Sequence, residues 1–171
     1  IWNDTMEKEG EAFTKQFVAK PGCSEHETGL AIDLARAARN IDFIRPHLPY
    51  DGACGRFRAL AAKYGFIQRY RAEKTAVTGI ACEPWHFRYV GAPHAQLIEQ
   101  NGLCLEEYAA FLREMGPQQC RLAGVRAAQV LYVPCENGHA RLPGGCVQVS
   151  GDNAGGFIAT VWQAGARRCG A

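Results

Sequence analysis

The segment Ser24-Glu25-His26-Glu27-Thr28-Gly29-Leu30-Ala31-Ile32-Asp33 decides the interpretation of this 171-residue chain. From Gly29 onward, large aliphatic residues alternate with Ala31 and Asp33, which is the period-two pattern of a β-strand. Because successive strand residues point to opposite faces, the Asp33 carboxylate lies on the face away from the aliphatic residues. The segment therefore predicts a strand whose carboxylate points into a cleft, with His26 a short distance before it.

A second segment, Glu83-Pro84-Trp85-His86, completes the inventory of a hydrolytic metal centre. The two segments together supply two imidazoles and one carboxylate, from His26, His86 and Asp33. This is a known ligand set for catalytic zinc, which keeps an open position for water, and Glu83 adds a carboxylate that can act as a base. Pro84 interrupts a regular strand, which would let Glu83 and His86 converge. Each segment alone has a simpler explanation, namely a turn cap at His26 or a surface ion pair between Glu83 and His86.

The composition excludes several classes of function. The chain is 47% hydrophobic and 21% charged, which is typical of a globular protein. Its net charge is +2 without a long basic run, so binding to nucleic acid or to an anionic membrane has no electrostatic support. No apolar stretch approaches the roughly 20 residues needed to cross a bilayer. We therefore expect a globular chain without a transmembrane segment.

The region before Gly116 alternates between helical and extended patterns. One helical region is predicted over 1–19, with a break at Gly10. Three further helices are predicted, one that ends before Gly65, one that ends before Gly102 and one that begins after Cys104. Strands are predicted at 30–35, at 66–70 and around 85–89. The last strand places Trp85, Phe87 and Tyr89 on one face, where we expect the core, and His86 with Arg88 on the other. His94, at a helix start beside Pro93, is expected at the surface.

Gly116-Pro117 is the predicted domain boundary. We expect a catalytic region over residues 1–115 and a small β-rich extension over residues 117–171. Three short strands separated by Gly- and Asn-rich turns predict a β-meander in the extension, at 129–134, 146–150 and 157–162. Eight scattered cysteines without a C-x-x-C pair leave both a disulfide set and free thiols open.

The motifs resemble those of a known family. Ser24-x-His26-x-x-Gly29-x-Ala31-x-Asp33 and Glu83-x-Trp85-His86-x-x-Tyr89 are similar to the signature of the VanY-type zinc D-alanyl-D-alanine carboxypeptidases. These enzymes are related to the VanX-type dipeptidases and to the hedgehog signalling domain. The segment from Tyr64 to Tyr70 matches in order and position, and the resemblance covers roughly residues 1–115. It implies an α+β, hedgehog/DD-peptidase-like fold, with a small antiparallel sheet and flanking helices.

The resemblance also implies a role for each motif residue. The ligands of one zinc ion per chain would be His26, Asp33 and His86. Glu83 would be the general base that activates the metal-bound water and then passes the proton to the departing D-alanine amine. Ser24 would line the substrate pocket, and Trp85 would shape its wall.

One family element is missing from the sequence as it stands. Family members carry a Ser-x-Tyr-Arg-Ser-type segment upstream of the first motif, whose Arg contacts the substrate and stabilises developing negative charge. We expect that segment to lie upstream of Ile1. Arg69, Arg71 and Arg88 are the nearby substitutes, although each could instead be a structural ion-pair partner.

The expected function is removal of the terminal D-Ala from peptidoglycan stem peptides that end in D-Ala-D-Ala. Such trimming could lower susceptibility to glycopeptide antibiotics. The alternatives are an L,D-carboxypeptidase, a D,D-dipeptidase or a wall endopeptidase of the same fold, or a non-catalytic zinc-binding or wall-binding fragment. The partner would be peptidoglycan or its precursor, at the bacterial cell envelope outside the cytoplasm, with the cytoplasm as the alternative. The sequence leaves the oligomeric state undetermined.

Overall fold

Two antiparallel sheets organise the chain in the computed structural model, which describes residues 1–122 and 126–163. Contacts divide the chain into two units, residues 1–91 and residues 92–171. Each unit contains one of the sheets together with its own helices. The predicted α+β class, with a small antiparallel sheet and flanking helices, is confirmed. The predicted catalytic extent of residues 1–115 stays a prediction.

The first unit is built on a three-stranded sheet of order β1-β3-β2, whose strands are β1 (Ala31–Asp33), β2 (Phe66–Tyr70) and β3 (Glu83–Tyr89). Its helices are α1 (Trp2–Glu9), α2 (Glu11–Phe17), α3 (Gly52–Ala61) and α4 (Thr75–Thr78). Single 3-10 turns cover Glu25–Thr28, Ala62–Tyr64 and Ala72–Lys74. The predicted break at Gly10 is confirmed, since its φ of 83° is a value that glycine adopts readily.

The core of the first unit lies on one face of β3. Trp85 and Phe87 are 8% and 1% exposed and pack with Leu48 and Ala61. The expectation that Tyr89 belongs to the same core is wrong, because its side chain is 43% exposed. Tyr89 is the last residue of β3, and its ring contacts Phe66 edge to face at 5.2 Å between centroids. Alternation thus predicted the correct face but not where the core ends along the strand.

A bulge in β3 breaks the regular pairing beside Pro84. Gln68 on β2 pairs with Phe87, and Tyr70, two residues later, pairs with Glu83, four residues away from Phe87 on β3. The extra residues of β3 therefore loop out between these two pairs. In a regular strand, Glu83 and His86 would lie on opposite faces, because they are three positions apart. The bulge removes that restriction, as Pro84 led us to expect.

The second unit contains two helices and a four-stranded sheet. The helices are α5 (Ala92–Gln100) and α6 (Leu105–Met115). The strands are β4 (Gln118–Leu122), β5 (Arg126–Pro134), β6 (Cys146–Gly151) and β7 (Gly156–Trp162). The three predicted strands are present, but β4 was missed. The strand order is β4-β5-β7-β6, so the predicted meander is wrong. The hairpin of β6 and β7 folds back so that β7, not β6, pairs with β5.

The expectation that His94 lies at the surface is also wrong. Its Nδ1 atom is 2.9 Å from the Tyr108 hydroxyl, and its Nε2 atom is 2.9 Å from the Thr160 hydroxyl. Tyr108 and Thr160 are each 2% exposed. Burial lowers the pKa of His94 to about 4, so the ring is neutral at physiological pH. His94 is therefore a structural link between α5, α6 and β7.

The seven cysteines in 1–122 and 126–163 are free thiols, and Cys169 lies outside those ranges. Within the same ranges, each helix is too short or too polar to cross a bilayer.

Replacing Phe87 with Ala should destabilise the first unit by about 3–5 kcal/mol, because a buried ring is lost and the core closes only partly around the cavity. The measurement is urea unfolding followed by tryptophan fluorescence. Tyr64→Ala is the control, since Tyr64 is 63% exposed and should change the free energy of unfolding by less than about 0.5 kcal/mol. Equal effects of the two substitutions would contradict the assigned core.

Candidate metal centre

The register between β1 and β3 places Asp33 directly opposite His86. The Asp33 Oδ1 atom is 2.9 Å from His86 Nδ1. His86 is 5% exposed, and the Asp33 side chain is about one third exposed. The two residues are thus held by the backbone pairing of two neighbouring strands, with the carboxylate on the solvent side.

The 3-10 turn Glu25–Thr28 adds the second imidazole. The Ser24 hydroxyl accepts a hydrogen bond from the backbone N–H of His26 at 3.3 Å and caps this turn. Gly29 ends the turn with a φ of 71°, the left-handed conformation that lets the chain enter β1. As a result, His26 Nε2 lies 3.3 Å from Asp33 Oδ2.

The three side chains offer donor atoms at the spacing of a metal site. One ligand atom from each of His26, Asp33 and His86 lies within 4.8 Å of the others. A tetrahedral zinc site with bonds of about 2.0–2.1 Å separates its donors by roughly 3.3 Å. The two contacts of Asp33 have about this spacing, at 2.9 Å from Oδ1 to His86 Nδ1 and at 3.3 Å from Oδ2 to His26 Nε2. Two imidazoles and a carboxylate suit zinc, and the group fits these residues.

Glu83 lies beside these ligand-type residues because of the bulge in β3. Its Oε2 atom is 3.7 Å from His86 Nδ1, and the residue is 6% exposed. Burial and, to a smaller extent, the negative charges of Asp33 and Glu25 raise the pKa of Glu83 to about 7. A carboxylate with this pKa can both accept and release a proton near neutral pH, which is the property a general base requires.

The sequence analysis missed Glu25, whose carboxylate lies behind His86. Its Oε1 atom is 2.8 Å from Arg69 Nε and 3.2 Å from Arg88 Nη1, and its side chain is 17% exposed. Burial opposes ionisation of Glu25, but the nearby His86 ring, the hydrogen bond with Arg69 and the charges of the two arginines lower its pKa to about 2. No local pattern revealed this cluster, because its members come from distant parts of the chain.

The same carboxylates act on His86. Burial disfavours its charged form, but the hydrogen bond with Asp33 and the nearby Glu25 carboxylate outweigh that effect and raise the pKa of His86 to about 9. The ring is thus surrounded by three carboxylates, those of Asp33, Glu25 and Glu83. A divalent cation bound at this cluster would offset the negative charge of the three carboxylates.

The predicted substrate-binding residues have other contacts in this structure. Ser24 caps the turn that carries His26, and Trp85 lies in the core of the first unit. Arg69 and Arg88 both form ion pairs with Glu25, which is the structural alternative considered for them. Their contacts with substrate stay predictions.

Comparison with known proteins shows the family. The VanY family profile, described as D-alanyl-D-alanine carboxypeptidase, matches residues 1–92, which is more than half of the chain. The chain belongs to the VanY family, as the motif resemblance led us to expect.

Individual relatives extend this result over different parts of the chain. The bifunctional D-Ala-D-Ala dipeptidase and carboxypeptidase VanXYC of Enterococcus gallinarum is 47% identical over 115 residues, covering 67% of this chain and 60% of that protein. The crystal structure of the vancomycin resistance D,D-dipeptidase VanXYg, in complex with a D-Ala-D-Ala phosphinate analog, has 43% identity and a TM-score of 0.86, and the match covers 95% of this chain and 67% of that one. The LD-carboxypeptidase LdcB has 40% identity and a TM-score of 0.51 over 63% of this chain and 50% of its own. The chain spans 60% and 46% of the length of the first two curated relatives it matches.

In the metal-free protein, the Glu83 carboxyl should titrate with a midpoint near pH 7, because burial disfavours its charged form. The measurement is the pH dependence of the side-chain carboxyl carbon shift by NMR, assigned with Glu83→Gln. A Glu83 midpoint at the ordinary glutamate value of about 4.3 would contradict the buried site.

Proposed function

We propose that this protein is a zinc metallopeptidase that removes the terminal D-Ala from peptidoglycan stem peptides ending in D-Ala-D-Ala. The observation that carries the proposal is the convergence of His26, Asp33 and His86, with Glu83 beside them, in a chain of the VanY family. We assign one zinc ion to the three ligand-type residues and the role of general base to Glu83. The similarity to VanXYC, a D-Ala-D-Ala dipeptidase and carboxypeptidase, and to VanXYg, a D,D-dipeptidase, supports the choice of a D-Ala-D-Ala substrate.

The ligand residues would hold zinc in a site that leaves room for water and a peptide carbonyl. When bound, zinc lowers the pKa of a coordinated water to about 7 and polarises the scissile carbonyl. Asp33 contributes a negative charge to the site, and the two imidazoles contribute neutral donors. His86 must lose its proton to serve as a ligand, so zinc affinity should fall as the solution becomes acidic.

Glu83 carries out the proton transfers in this proposal. In its ionised form, the carboxylate accepts a proton from the attacking water. The resulting neutral acid then donates that proton to the amine of the departing D-alanine. In the metal-free site burial raises the pKa of Glu83 to about 7, and its position beside His86 places the carboxylate next to the ligand-type residues. Burial keeps bulk water from competing for the same carboxylate.

Glu83→Gln should retain about one zinc per chain and lose D-Ala release by roughly 10²- to 10⁴-fold, because the amide cannot accept the proton. His86→Ala should lose the zinc. The measurements are metal analysis and enzymatic detection of D-alanine released from a muramyl pentapeptide. Glu73→Gln, at an exposed residue, is the matched control and should behave like the unmodified protein.

Two results would contradict the proposal. Full turnover in Glu83→Gln would remove Glu83 as the base. Full zinc occupancy in both His26→Ala and His86→Ala would remove the proposed site.

A second activity, hydrolysis of free D-Ala-D-Ala, is favoured by one observation. The D,D-dipeptidase VanXYg matches 95% of this chain, including the second unit, whereas LdcB matches 63%. We therefore propose that the protein also accepts the dipeptide. Cleavage of the pentapeptide would remove D-Ala-D-Ala termini, and cleavage of the free dipeptide would remove it before it joins a precursor, which together are the proposed basis of a role in glycopeptide resistance.

With zinc bound, the protein should release D-alanine both from free D-Ala-D-Ala and from the acylated pentapeptide. The physical requirement is a pocket that accepts either a charged amine or an amide on the same side of the scissile bond. The two rates are compared in one assay, with Glu83→Gln as the blank. Turnover of the pentapeptide without turnover of the dipeptide would contradict this second activity.

The partner in this proposal is peptidoglycan or its precursor. We propose action at the bacterial cell envelope, outside the cytoplasm, for the carboxypeptidase activity. Free dipeptide, in contrast, would be met in the cytoplasm before it joins a precursor. Fractionation of cells with an antibody to the protein distinguishes the two compartments.

A further inference from the structure

Two polar atoms without hydrogen bonds face each other behind the candidate metal centre. Glu25 Oε2 and His86 Nε2 are both buried, and neither makes a hydrogen bond within the described residues 1–122 and 126–163. The two atoms are 3.6 Å apart. Leaving a buried polar atom without a hydrogen bond costs about 1–3 kcal/mol. A hydrogen bond between Glu25 Oε2 and His86 Nε2 would therefore lower the free energy of the folded state. Closing the gap to an ordinary N–H···O distance requires a shift of about 0.5 Å.

The Glu25 side chain is anchored so that one oxygen remains available to His86. Its Oε1 atom is the one that pairs with Arg69 on β2 and with Arg88 on β3. Arg69 is 8% exposed, and Arg88 is about one fifth exposed, so both ion pairs are largely removed from water. These contacts hold the carboxylate from two strands and leave Oε2 directed at the imidazole.

The opposite edge of the His86 ring faces the candidate ligands. Its Nδ1 atom lies 2.9 Å from Asp33 and 3.7 Å from Glu83. A neutral imidazole has a proton on one nitrogen and a lone pair on the other. A hydrogen bond from Nε2–H to Glu25 would therefore direct the lone pair of Nδ1 toward Asp33, where a metal would lie.

We propose that Glu25 is the positioning residue of the metal centre: it fixes the tautomer and the orientation of His86 through Nε2–H. The proposal rests on the assignment of His86 as a zinc ligand. A carboxylate behind a ligating histidine raises the affinity for the metal by making the ring a better donor. Glu25 also offsets the positive charges of Arg69 and Arg88, which would otherwise repel a divalent cation. Glu25 itself does not contact the substrate or the metal.

The test compares Glu25→Gln and Glu25→Ala with the matched control Glu27→Gln. Glu27 belongs to the same 3-10 turn but is exposed. We expect zinc affinity, measured by competition with a chelator, to fall about 10-fold in Glu25→Gln and up to about 100-fold in Glu25→Ala. The amide should lose less because it keeps an acceptor oxygen, although it cannot neutralise the arginines. The control should keep its affinity within twofold.

A spectroscopic signature separates positioning from general structural support. In the zinc-loaded protein labelled with ¹⁵N-histidine, the Nε2–H proton of His86 should resonate downfield and exchange slowly with water. It should move upfield or be lost to exchange in both Glu25 variants and stay unchanged in Glu27→Gln. A purely structural role of Glu25 would lower the unfolding temperature without changing this resonance. Should Glu25→Ala not fold, Glu25→Gln, which keeps the side-chain volume, gives the decisive result.

The outcomes distinguish this proposal from the proposed function. Zinc binding by the unmodified protein, lost in His86→Ala but unchanged in both Glu25 variants, would overturn the role of Glu25 and leave the metal site standing. Wild-type zinc affinity in His86→Ala would overturn the site and the role of Glu25 together. Lower affinity in the Glu25 variants with an unchanged Nε2–H resonance would also overturn the role.

Discussion

The antiparallel register between β1 and β3 is the constraint on which the candidate site depends. It pairs Ala31 with Arg88 and Asp33 with His86, so the ligand-type carboxylate and imidazole are held by backbone hydrogen bonds. A slip of one residue would move every side chain of β1 to the other face and would separate the two groups. The burial of Trp85 and Phe87 on the core face of β3 opposes such a slip. Core packing and site geometry are thus consequences of one pairing.

Electrostatic interactions around His86 set the charge states of the nearby carboxylates. Three carboxylates surround His86, and without cations nearby their mutual repulsion and burial would be costly. Arg69 and Arg88 stabilise the ionised form of Glu25, whereas burial of Glu83 outweighs the opposing effect of the nearby His86 and raises its pKa. The two buried glutamates therefore differ in charge state near neutral pH, one as a fixed anion and the other as a group that can exchange a proton. The same residue type thus serves two purposes because the surroundings differ.

Several features of the fold could not be predicted from local patterns. Alternation identified the face of β3 but not the exposure of Tyr89, because the extent of a core depends on what packs over it. His94 looked like a surface residue, yet Tyr108 and Thr160 bind both of its nitrogens from distant parts of the chain. The order of the second sheet was wrong for a related reason. Short strands with similar turns are compatible with several pairings, and only the assembled sheet selects one.

The sequence by itself determined the family, the α+β class and the chemical groups that meet at the site. The site residues are recognisable in the sequence because His26 and Asp33 lie on either side of Gly29, and Glu83 and His86 on either side of Pro84. Only the tertiary structure decided that β1 pairs with β3, that the bulge brings Glu83 to the side of His86, and that Glu25 lies behind the same ring. These three results depend on contacts between residues far apart in the chain. Local composition does not encode such contacts, since burial and pairing arise only when the strands assemble.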